Sequence, residues 1–262
     1  MSSDLSYRDR DTIIRLAAEM NDTQMAKFLG CSVPTIRYWR DRHGLPRSTA
    51  NPGGIRWKTD RNFFAQIDTP EKAYVLGFIV ADGTIAKSGK SISLVVKESD
   101  ASILQAIADA AGCDAPLHPK VARGGWGPAE RRQMALHLSG RKLVSDLAAL
   151  GVCPNKTLTA TFPAIPSHLE CHLVRGLWDG DGWVGQRQFS LIGTAAVTEG
   201  AAEAIERQTG RHLARSLSNG FPRIQGGRKD RTVMEWMYAD ASISLERKAE
   251  AFRLYWSQTP RT

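Results

Sequence analysis

Two apolar segments of the chain share one pattern of small residues: Gly77 and Ala81 lie four positions apart in the first segment, and Gly176 and Gly180 do so in the second. Residues at this spacing share one face of a helix. Because a glycine inside a helix costs about 0.5–1 kcal/mol relative to alanine, some interaction must offset that cost. We predict that the two segments are helices whose small faces pack closely against each other.

Both predicted helices end in an Asp-Gly pair, Asp82-Gly83 and Asp181-Gly182. The glycines end the helices, and a carboxylate at a helix C-terminus opposes the helix dipole. Close packing brings the two carboxylates together, so they repel and their pKa rises. A divalent cation between them removes both penalties. Paired oxygens with few other ligands suit Mg²⁺, which suggests phosphodiester hydrolysis. The alternative is two core helices with Asp-Gly turns, which the matched pair disfavours.

The hydrophobic pattern after each Asp-Gly pair predicts the same order of elements twice. Ile92, Leu94 and Val96 alternate with less apolar positions, as in a half-buried strand. The further elements of the first half are a helix from Asp100 to Ala111, a strand from Arg132 to Leu138 and a helix to about Leu150. Those of the second half are a strand over Arg187–Ile192, a helix over Thr198–Thr209, a strand over Val233–Tyr238 and a helix over Leu245–Trp256. This order is typical of the α+β class.

Residues 7–47 read as a separate small all-α unit. Ala26 is small where two helices would cross, Gly30 fits a tight turn, and Ser32 is suited to cap the next helix. With Ile36 turned inward, this spacing is similar to that of a helix-turn-helix. The recognition helix would span Val33 to His43 and reach the major groove with its outward residues Thr35, Arg37, Tyr38, Arg40 and Arg42. A three-helix bundle with a solvated basic face is the alternative.

Composition favours a polyanionic partner. The chain has 262 residues and a net charge of +8, and 42% of its residues are hydrophobic, enough for a real core. Its four cysteines form no CxxC pair, which disfavours a zinc site and suggests reduced thiols in a cytoplasmic protein. No signal-peptide pattern and no apolar run of membrane-spanning length is present. The alanine and arginine usage hints at a bacterial or phage genome.

The two apolar segments and their terminal acids resemble the LAGLIDADG homing endonucleases, in the single-chain form that carries two motifs. The first motif departs from the family pattern at Val80, which aligns with Asp179 of the second, so Asp179 is not the symmetric ligand. The resemblance implies two pseudo-symmetric αββαββα halves that pack through the paired motif helices. The predicted domains are a helix-turn-helix domain at 1–47, a linker at 48–69 and an endonuclease domain at 70–262, with halves at 70–165 and 166–262.

The resemblance also implies site residues and a reaction. Asp82 and Asp181 would bind Mg²⁺ or Mn²⁺, with the backbone carbonyls of Ala81 and Gly180 as further ligands. The family often places one lysine per half near the metal; spacing does not identify it here, and we take Lys97 and Lys229 as candidates. Double-stranded DNA with a long asymmetric target would be cut across the minor groove to leave short 3′ overhangs. One monomer would suffice, because both halves lie in one chain.

Two sheets related by the central helix pair would form a concave basic saddle for DNA. Its DNA-facing candidates are the polar residues predicted on strands and loops: Lys87, Lys90, Ser93, Lys97, Arg123, Arg131, Arg132, Arg187, Gln188, Arg223, Gln225, Arg228, Lys229 and Arg231. Arg56 and Lys58 in the linker either track the phosphate backbone or make no contact. The alternatives are a non-enzymatic DNA-binding regulator on the same fold and an intron maturase that binds RNA. An intein is disfavoured, since the residues that splicing needs are missing from both ends.

Overall fold

The computed structural model places the chain in two units, Met1–Arg56 and Trp57–Thr262. It describes residues 8–17, 20–45, 57–123, 130–156 and 159–257. Each unit has its own cluster of buried apolar side chains, a small one in the first unit and a large one in the second. No helix among the described residues has the length and apolar character needed to cross a membrane.

The described residues of the smaller unit form three short helices: α1 (Arg10–Ala17), α2 (Asp22–Phe28) and α3 (Val33–Arg42). Asn21 and Ser32 cap α2 and α3 by accepting hydrogen bonds from backbone N–H groups three residues later. Gly30 lies in the left-handed region with φ of 64° and makes the turn between these two helices. The buried apolar cluster of the smaller unit contains Leu16, Met25, Ala26 and Ile36.

The larger unit repeats the order αββαββα, and the second half adds one more helix at its end. The predicted α+β arrangement of two such halves is confirmed. The first half contains α4 (Pro70–Asp82), β1 (Thr84–Ile85), β2 (Ser91–Lys97), α5 (Ala101–Ala110), β3 (His118–Arg123), β4 (Glu130–Ser139) and α6 (Arg141–Ala149). The second half contains α7 (Glu170–Asp181), β5 (Gly182–Val184), β6 (Gln188–Ile192), α8 (Ala195–Thr209), β7 (Ala214–Ser218), β8 (Phe221–Gly227), α9 (Arg231–Tyr238) and α10 (Glu246–Tyr255).

Within the described part of the chain, each half forms one antiparallel sheet of four strands, in the order β1-β2-β4-β3 and β5-β6-β8-β7. In β2 the alternate residues Ile92, Leu94 and Val96 are buried, so one face of the first sheet covers the core. In the second sheet Phe189 and Leu191 do the same. Cross-strand partners share a face, so the register assigns every other strand residue either to this core face or to the opposite, open face.

The two motif helices, α4 and α7, pack backbone to backbone, as their small residues predict. A Cβ atom added to Gly77 would lie 2.1 Å from Leu173 O, and one added to Gly176 would lie 2.2 Å from Tyr74 O. At Gly180 it would lie 2.3 Å from the Cβ of Ala81. Only residues without a larger side chain permit this approach, which sets the ends of the two helices side by side.

The strand predicted over Val233–Tyr238 was wrong, because these residues belong to helix α9. Val233, Met234, Met237 and Tyr238 are buried, and their spacings of three and four residues place them on one side of a helix. The second pair of strands in this half is instead β7 and β8, joined by Asn219 and Gly220, both in the left-handed region. Such a turn suits a tight hairpin.

Part of the segment predicted as a linker packs onto the larger unit. Phe63, Phe64 and Ile67 are buried in its core cluster. The backbone N–H of Asp60 donates to Ala111 O at 2.9 Å. Residues 57–68 are therefore part of the larger unit, whereas residues 46–56 lie outside the described residues.

Candidate functional site

Asp82 and Asp181 are the last residues of α4 and α7, and the packing of these helices brings them to one place. A Cβ atom added to Gly180, the residue before Asp181, would lie 3.5 Å from the carboxyl carbon of Asp82. Both Asp residues are exposed to solvent. Each motif helix therefore places one solvent-accessible carboxylate at the same site.

The environment of this acid pair disfavours its negative charge. Desolvation raises the pKa of Asp82, while Lys248, Lys156 and Arg247 act in the opposite direction. Desolvation and then repulsion by Asp82 raise the pKa of Asp181 to about 6. The carboxylates are accessible at the surface, yet enough protein surrounds them to remove part of their water, which explains exposure and raised pKa together.

The acid pair fits a divalent cation. No described residue donates a hydrogen bond to either carboxylate, so their oxygens are available as ligands, and the mutual repulsion is the charge pattern that a cation relieves. Among the described residues no cluster of three or more His, Cys, Asp or Glu side chains could hold a metal. A cation here would therefore take two carboxylates, and the rest of its coordination from water or backbone, as suits Mg²⁺.

Two buried lysines, one in each half, stand beside the acids and were not identified from the sequence as site residues. Lys156 Nζ donates to Val80 O at 2.6 Å and to Ala81 O at 2.8 Å. Lys248 Nζ donates to Trp178 O, to Asp179 O at 2.8 Å and to Gly182 O at 2.6 Å. Each lysine thus binds the carbonyl end of one motif helix, where a positive charge complements the helix dipole.

The charges of these lysines act on the acid pair. Burial lowers the pKa of Lys156 and lowers that of Lys248 to about 8, while the nearby carboxylates oppose the shift. A cavity of about 150 Å³ opens next to Lys156 and Asp181. The site therefore combines two acids, two cations and room for several water molecules.

Lys97 and Lys229, the lysines chosen from the sequence, are exposed and are not among the charges that act on the acids. A sequence signal for Lys248 did exist. It lies on the buried face of α10 with Ala249 and Phe252, and a lysine on such a face needs a specific partner. For Lys156 the chain offers no such periodicity, because it lies in a loop.

Asp179 has a separate, structural environment. It is fully buried and accepts hydrogen bonds from Tyr74 Oη at 2.8 Å, Tyr238 Oη at 2.6 Å and Leu245 N at 2.7 Å. Desolvation raises its pKa, and these hydrogen bonds oppose the shift. Because its donors come from α4, α9 and the start of α10, Asp179 joins helices and is not open to a metal.

The open faces of the sheets carry part of the predicted DNA-binding set. In the second sheet the register places Gln188, Arg223 and Gln225 on the open face. In the first sheet it places Ser93, Lys97 and Arg131 there. The same face also holds residues that the sequence analysis missed: Lys120, Gln133, His118 and His137 in the first sheet, and Trp183, Ser190 and Ser216 in the second.

Other predicted DNA contacts lie elsewhere. Arg132 pairs with Val121 on the core-side face of the first sheet, and its guanidinium lies 3.9 Å from Glu98. Arg231 starts helix α9, where it binds Glu235 at 2.6 Å. The remaining basic candidates, Lys87, Lys90, Arg187, Arg228 and Lys229, are exposed in turns or short 3₁₀ segments. Lys58 is exposed on the larger unit, while Arg56 and the side chain of Arg123 lie outside the described residues.

In the smaller unit one residue of the predicted outward set is turned inward. Arg40 is 3% exposed, and its Nε donates to Asp22 Oδ1 at 2.9 Å. This correction follows from its position one turn after Ile36, on the buried face of α3. Arg37, Tyr38 and Arg42 are exposed as predicted, and Thr35 is half-buried beside the capping Ser32.

Comparisons with known proteins identify the fold. No protein-family model matches the chain, and a search of curated proteins found no match. The homing endonuclease I-WcaI, solved bound to its DNA recognition sequence, matches at 12% identity and a TM-score of 0.51, over 72% of this chain and 91% of its own. This likeness shows that the larger unit has the LAGLIDADG fold.

Two further solved structures match with lower scores. I-DmoI in complex with DNA and Ca matches at 13% identity and a TM-score of 0.47, over 74% of this chain and 99% of its own. The N-terminal LAGLIDADG domain of DUF199/WhiA matches at 11% identity and 0.46, over 75% and 98%.

Proposed function

We propose that this protein, which has the LAGLIDADG fold, is a site-specific endonuclease that hydrolyses phosphodiester bonds in double-stranded DNA with Mg²⁺ or Mn²⁺. The observation that carries the proposal is the acid pair. Asp82 and Asp181 end two closely packed helices, are open to solvent, and receive no hydrogen bond from any described residue. Two carboxylates that repel each other lower the stability of the fold, so their placement side by side indicates a function such as metal binding.

The acids would hold the cation, with the carbonyl of Gly180 as a further ligand. When bound, a divalent cation supplies a Lewis acid and lowers the pKa of coordinated water. Lys156 and Lys248 hold the ends of the motif helices in place and keep positive charge beside the acids. That charge would stabilise the negative charge that develops on the phosphate during hydrolysis.

DNA would lie along the open faces of the two sheets. These faces carry Lys97, Lys120, Arg131 and Arg223, and the net charge of +8 favours a polyanion. I-WcaI was solved with its DNA recognition sequence, which supports duplex DNA as the partner. Arg37, Tyr38 and Arg42 of the smaller unit would add contacts to a long asymmetric site. Because one chain contains both halves, the protein would act as a monomer. We place it in the cytoplasm of a bacterium, or in a phage.

A DNA-binding regulator without nuclease activity is the second candidate, and one observation favours it. Ala81 O, a ligand implied by the family resemblance, accepts a hydrogen bond from Lys156 Nζ at 2.8 Å. A carbonyl engaged in this way is less available to a metal. In this reading the same open faces bind DNA, while the acids remain without a catalytic cation.

Cleavage of a randomised duplex library distinguishes the two. We expect double-strand cuts at one long sequence with Mg²⁺, none with Ca²⁺, and none with the Asp82→Asn, Asp181→Asn double variant. Asp109→Asn is a matched control, because Asp109 is an exposed acid on α5. Selective binding without cutting in any metal supports the regulator and rejects the endonuclease.

A further inference from the structure

Trp183 lies two residues after Asp181 and is 56% exposed, the highest exposed fraction among the tryptophans that the structure describes. Tryptophan is strongly buried on average, because its large apolar surface is costly to hydrate. Its matching position in the first half is Thr84, which follows Asp82 by the same spacing. An exposed indole at this place in one half only therefore needs an explanation beyond the pseudo-symmetric fold.

The register fixes which way the Trp183 side chain stands. Trp183 pairs with Ser190, which pairs in turn with Gln225. The neighbouring positions on β6, Phe189 and Leu191, are buried on the core face. Trp183 therefore stands on the open face of the second sheet, in the same row as Gln225 and next to the row of Arg223. Ser190 and Gln225 share its row, and no described residue accepts a hydrogen bond from its indole N–H.

The Trp183 indole lies directly over the backbone of Gly185. A Cβ atom added to Gly185 would lie 2.4 Å from two atoms of the Trp183 six-membered ring. Gly185 O accepts a hydrogen bond from Trp256 Nε1 at 2.9 Å, and Trp183 O accepts one from Trp178 Nε1 at 3.4 Å. Two buried tryptophans thus hold the backbone of this turn, and the glycine leaves the space that the exposed ring occupies.

We propose that Trp183 contacts a base of the target DNA beside the scissile phosphate held at Asp181. This inference rests on the proposed endonuclease function and adds a residue that positions the DNA in one half-site. An aromatic ring on a fixed backbone stacks on a base or wedges into a base step. The indole N–H is free to donate to a base acceptor in the minor groove. Because only one half carries the indole, the contact distinguishes the two half-sites.

The test measures DNA binding by anisotropy in Ca²⁺ and cleavage in Mg²⁺, with the duplex that library selection recovers. Base stacking contributes about 1–3 kcal/mol per base, so Trp183→Ala should weaken binding roughly 5- to 150-fold, and Trp183→Phe should weaken it less. Thermal melting checks that both variants fold, as expected for an exposed side chain. Trp57→Ala is the matched control, since Trp57 is 39% exposed and lies outside both sheets.

Two further measurements separate a base contact from a general loss of structure. Gly185→Ala displaces the ring without removing it, so it should weaken binding in the wild-type background and have no further effect beside Trp183→Ala. Abasic substitutions scanned across the duplex should find one position whose penalty disappears in Trp183→Ala. Tryptophan fluorescence should be quenched by duplex in the wild type, and by clearly less in Trp183→Phe.

The outcomes are distinct. The proposed base contact is wrong if the wild type cuts DNA and Trp183→Ala binds and cuts equally well. It is also wrong if the wild type cuts DNA and no abasic position couples to Trp183. In both cases the proposed endonuclease function is retained. If the wild type neither binds nor cuts any duplex, both proposals are wrong. Coupling to one abasic position on one side of the cut establishes the contact.

Discussion

Asp179 and Asp181 lie two residues apart at the end of one helix but serve different purposes. Asp179 is enclosed by three hydrogen-bond donors, whereas Asp181 is exposed and receives none. Burial stabilises a carboxylate only when donors replace the lost water. We therefore expect Asp179 to stabilise the fold. We expect Asp181 to lower the stability of the fold and to be available as a metal ligand.

Asp179→Asn should destabilise the protein strongly. The amide cannot accept all three hydrogen bonds, and its NH₂ group would face hydroxyl or N–H donors in the core. Buried hydrogen bonds to charged groups are worth about 1.5–3 kcal/mol each, so we expect a loss of roughly 3 kcal/mol in the free energy of unfolding, measured by urea denaturation. The same change at Asp181 is the control; equal stability of the two variants would refute the distinction.

Asp181→Asn should instead stabilise the protein at neutral pH. The pKa of Asp181 is raised from 3.8 to about 6 in the folded state, so folded protein holds this proton more tightly than unfolded protein. Wild-type stability therefore falls, relative to the variant, as the pH rises from about 4 to about 6. The melting temperature of the variant should be higher at pH 7.5 and equal at pH 4.

Mg²⁺ provides the complementary measurement on the same residue. A cation that binds only folded protein raises its melting temperature, so Mg²⁺ should stabilise the wild type at pH 7.5. It should have no effect on the double variant of Asp82 and Asp181, and EDTA should reverse the wild-type gain. A Mg²⁺ effect of equal size in the double variant would place the cation elsewhere.

At the scale of elements, the helix pair α4 and α7 determines the geometry of the site. The helices touch at Gly77, Gly176 and Gly180, where an added Cβ atom would overlap atoms of the other helix. The overlapped atoms are backbone at Gly77 and Gly176 and the Cβ of Ala81 at Gly180. None of them can move aside as the end of a flexible side chain can, so any larger residue there must separate the helices. The separation of the two carboxylates therefore depends on these glycines.

Gly176→Ala should lower the free energy of unfolding by about 1–3 kcal/mol, the usual penalty of overpacking. It should also reduce cleavage by displacing Asp181 relative to Asp82. Gly193→Ala is the control, because its added Cβ would have ordinary contacts from 3.5 Å outward. Chemical denaturation and cleavage assays measure both effects; a stable and active Gly176→Ala protein would contradict the close packing.

Strand register makes a second prediction at this scale. Arg131 and Arg132 are adjacent in β4 but stand on opposite faces, the first on the open face. Each lysine or arginine that contacts a phosphate contributes about one to the dependence of log affinity on log salt. Arg131→Gln should therefore lower that slope by about one, and Arg132→Gln should leave it unchanged, as measured by anisotropy from 50 to 200 mM salt.

At the scale of the whole molecule, the chain contains two units with separate buried cores. Among the described residues, the buried apolar cluster of the smaller unit contains Leu16, Met25, Ala26 and Ile36, and domains with so little buried surface are marginally stable. We expect two unfolding transitions by calorimetry, the weaker from the smaller unit. A truncated chain of residues 57–262 should retain the stronger transition and non-specific DNA binding, with lower affinity for the full target. One transition shared by both forms would contradict this.

Much of this architecture was predictable from local patterns. The spacing of small residues predicted the close helix pair, the matched Asp-Gly endings predicted the acid pair, and alternation predicted β2. These features depend on residues near one another in sequence, whose periodicity directly reports the face of a helix or strand. The failure at Val233–Tyr238 has the same origin, because a short apolar run fits either period.

The sequence by itself determined two repeated halves, two helices of small residues and one acid at the end of each. Tertiary structure alone decided which cations accompany those acids. Lys156 and Lys248 reach the motif helices from positions far away in sequence. The buried face of α10 marks Lys248 as enclosed, but no local spacing identifies the partner of either lysine. Only the folded packing buried Arg40 in the smaller unit, placed Arg132 on the core-side face of the first sheet, and left Trp183 exposed on the open face of the second sheet. Long-range contacts decide which polar side chains are enclosed and which are open to a ligand.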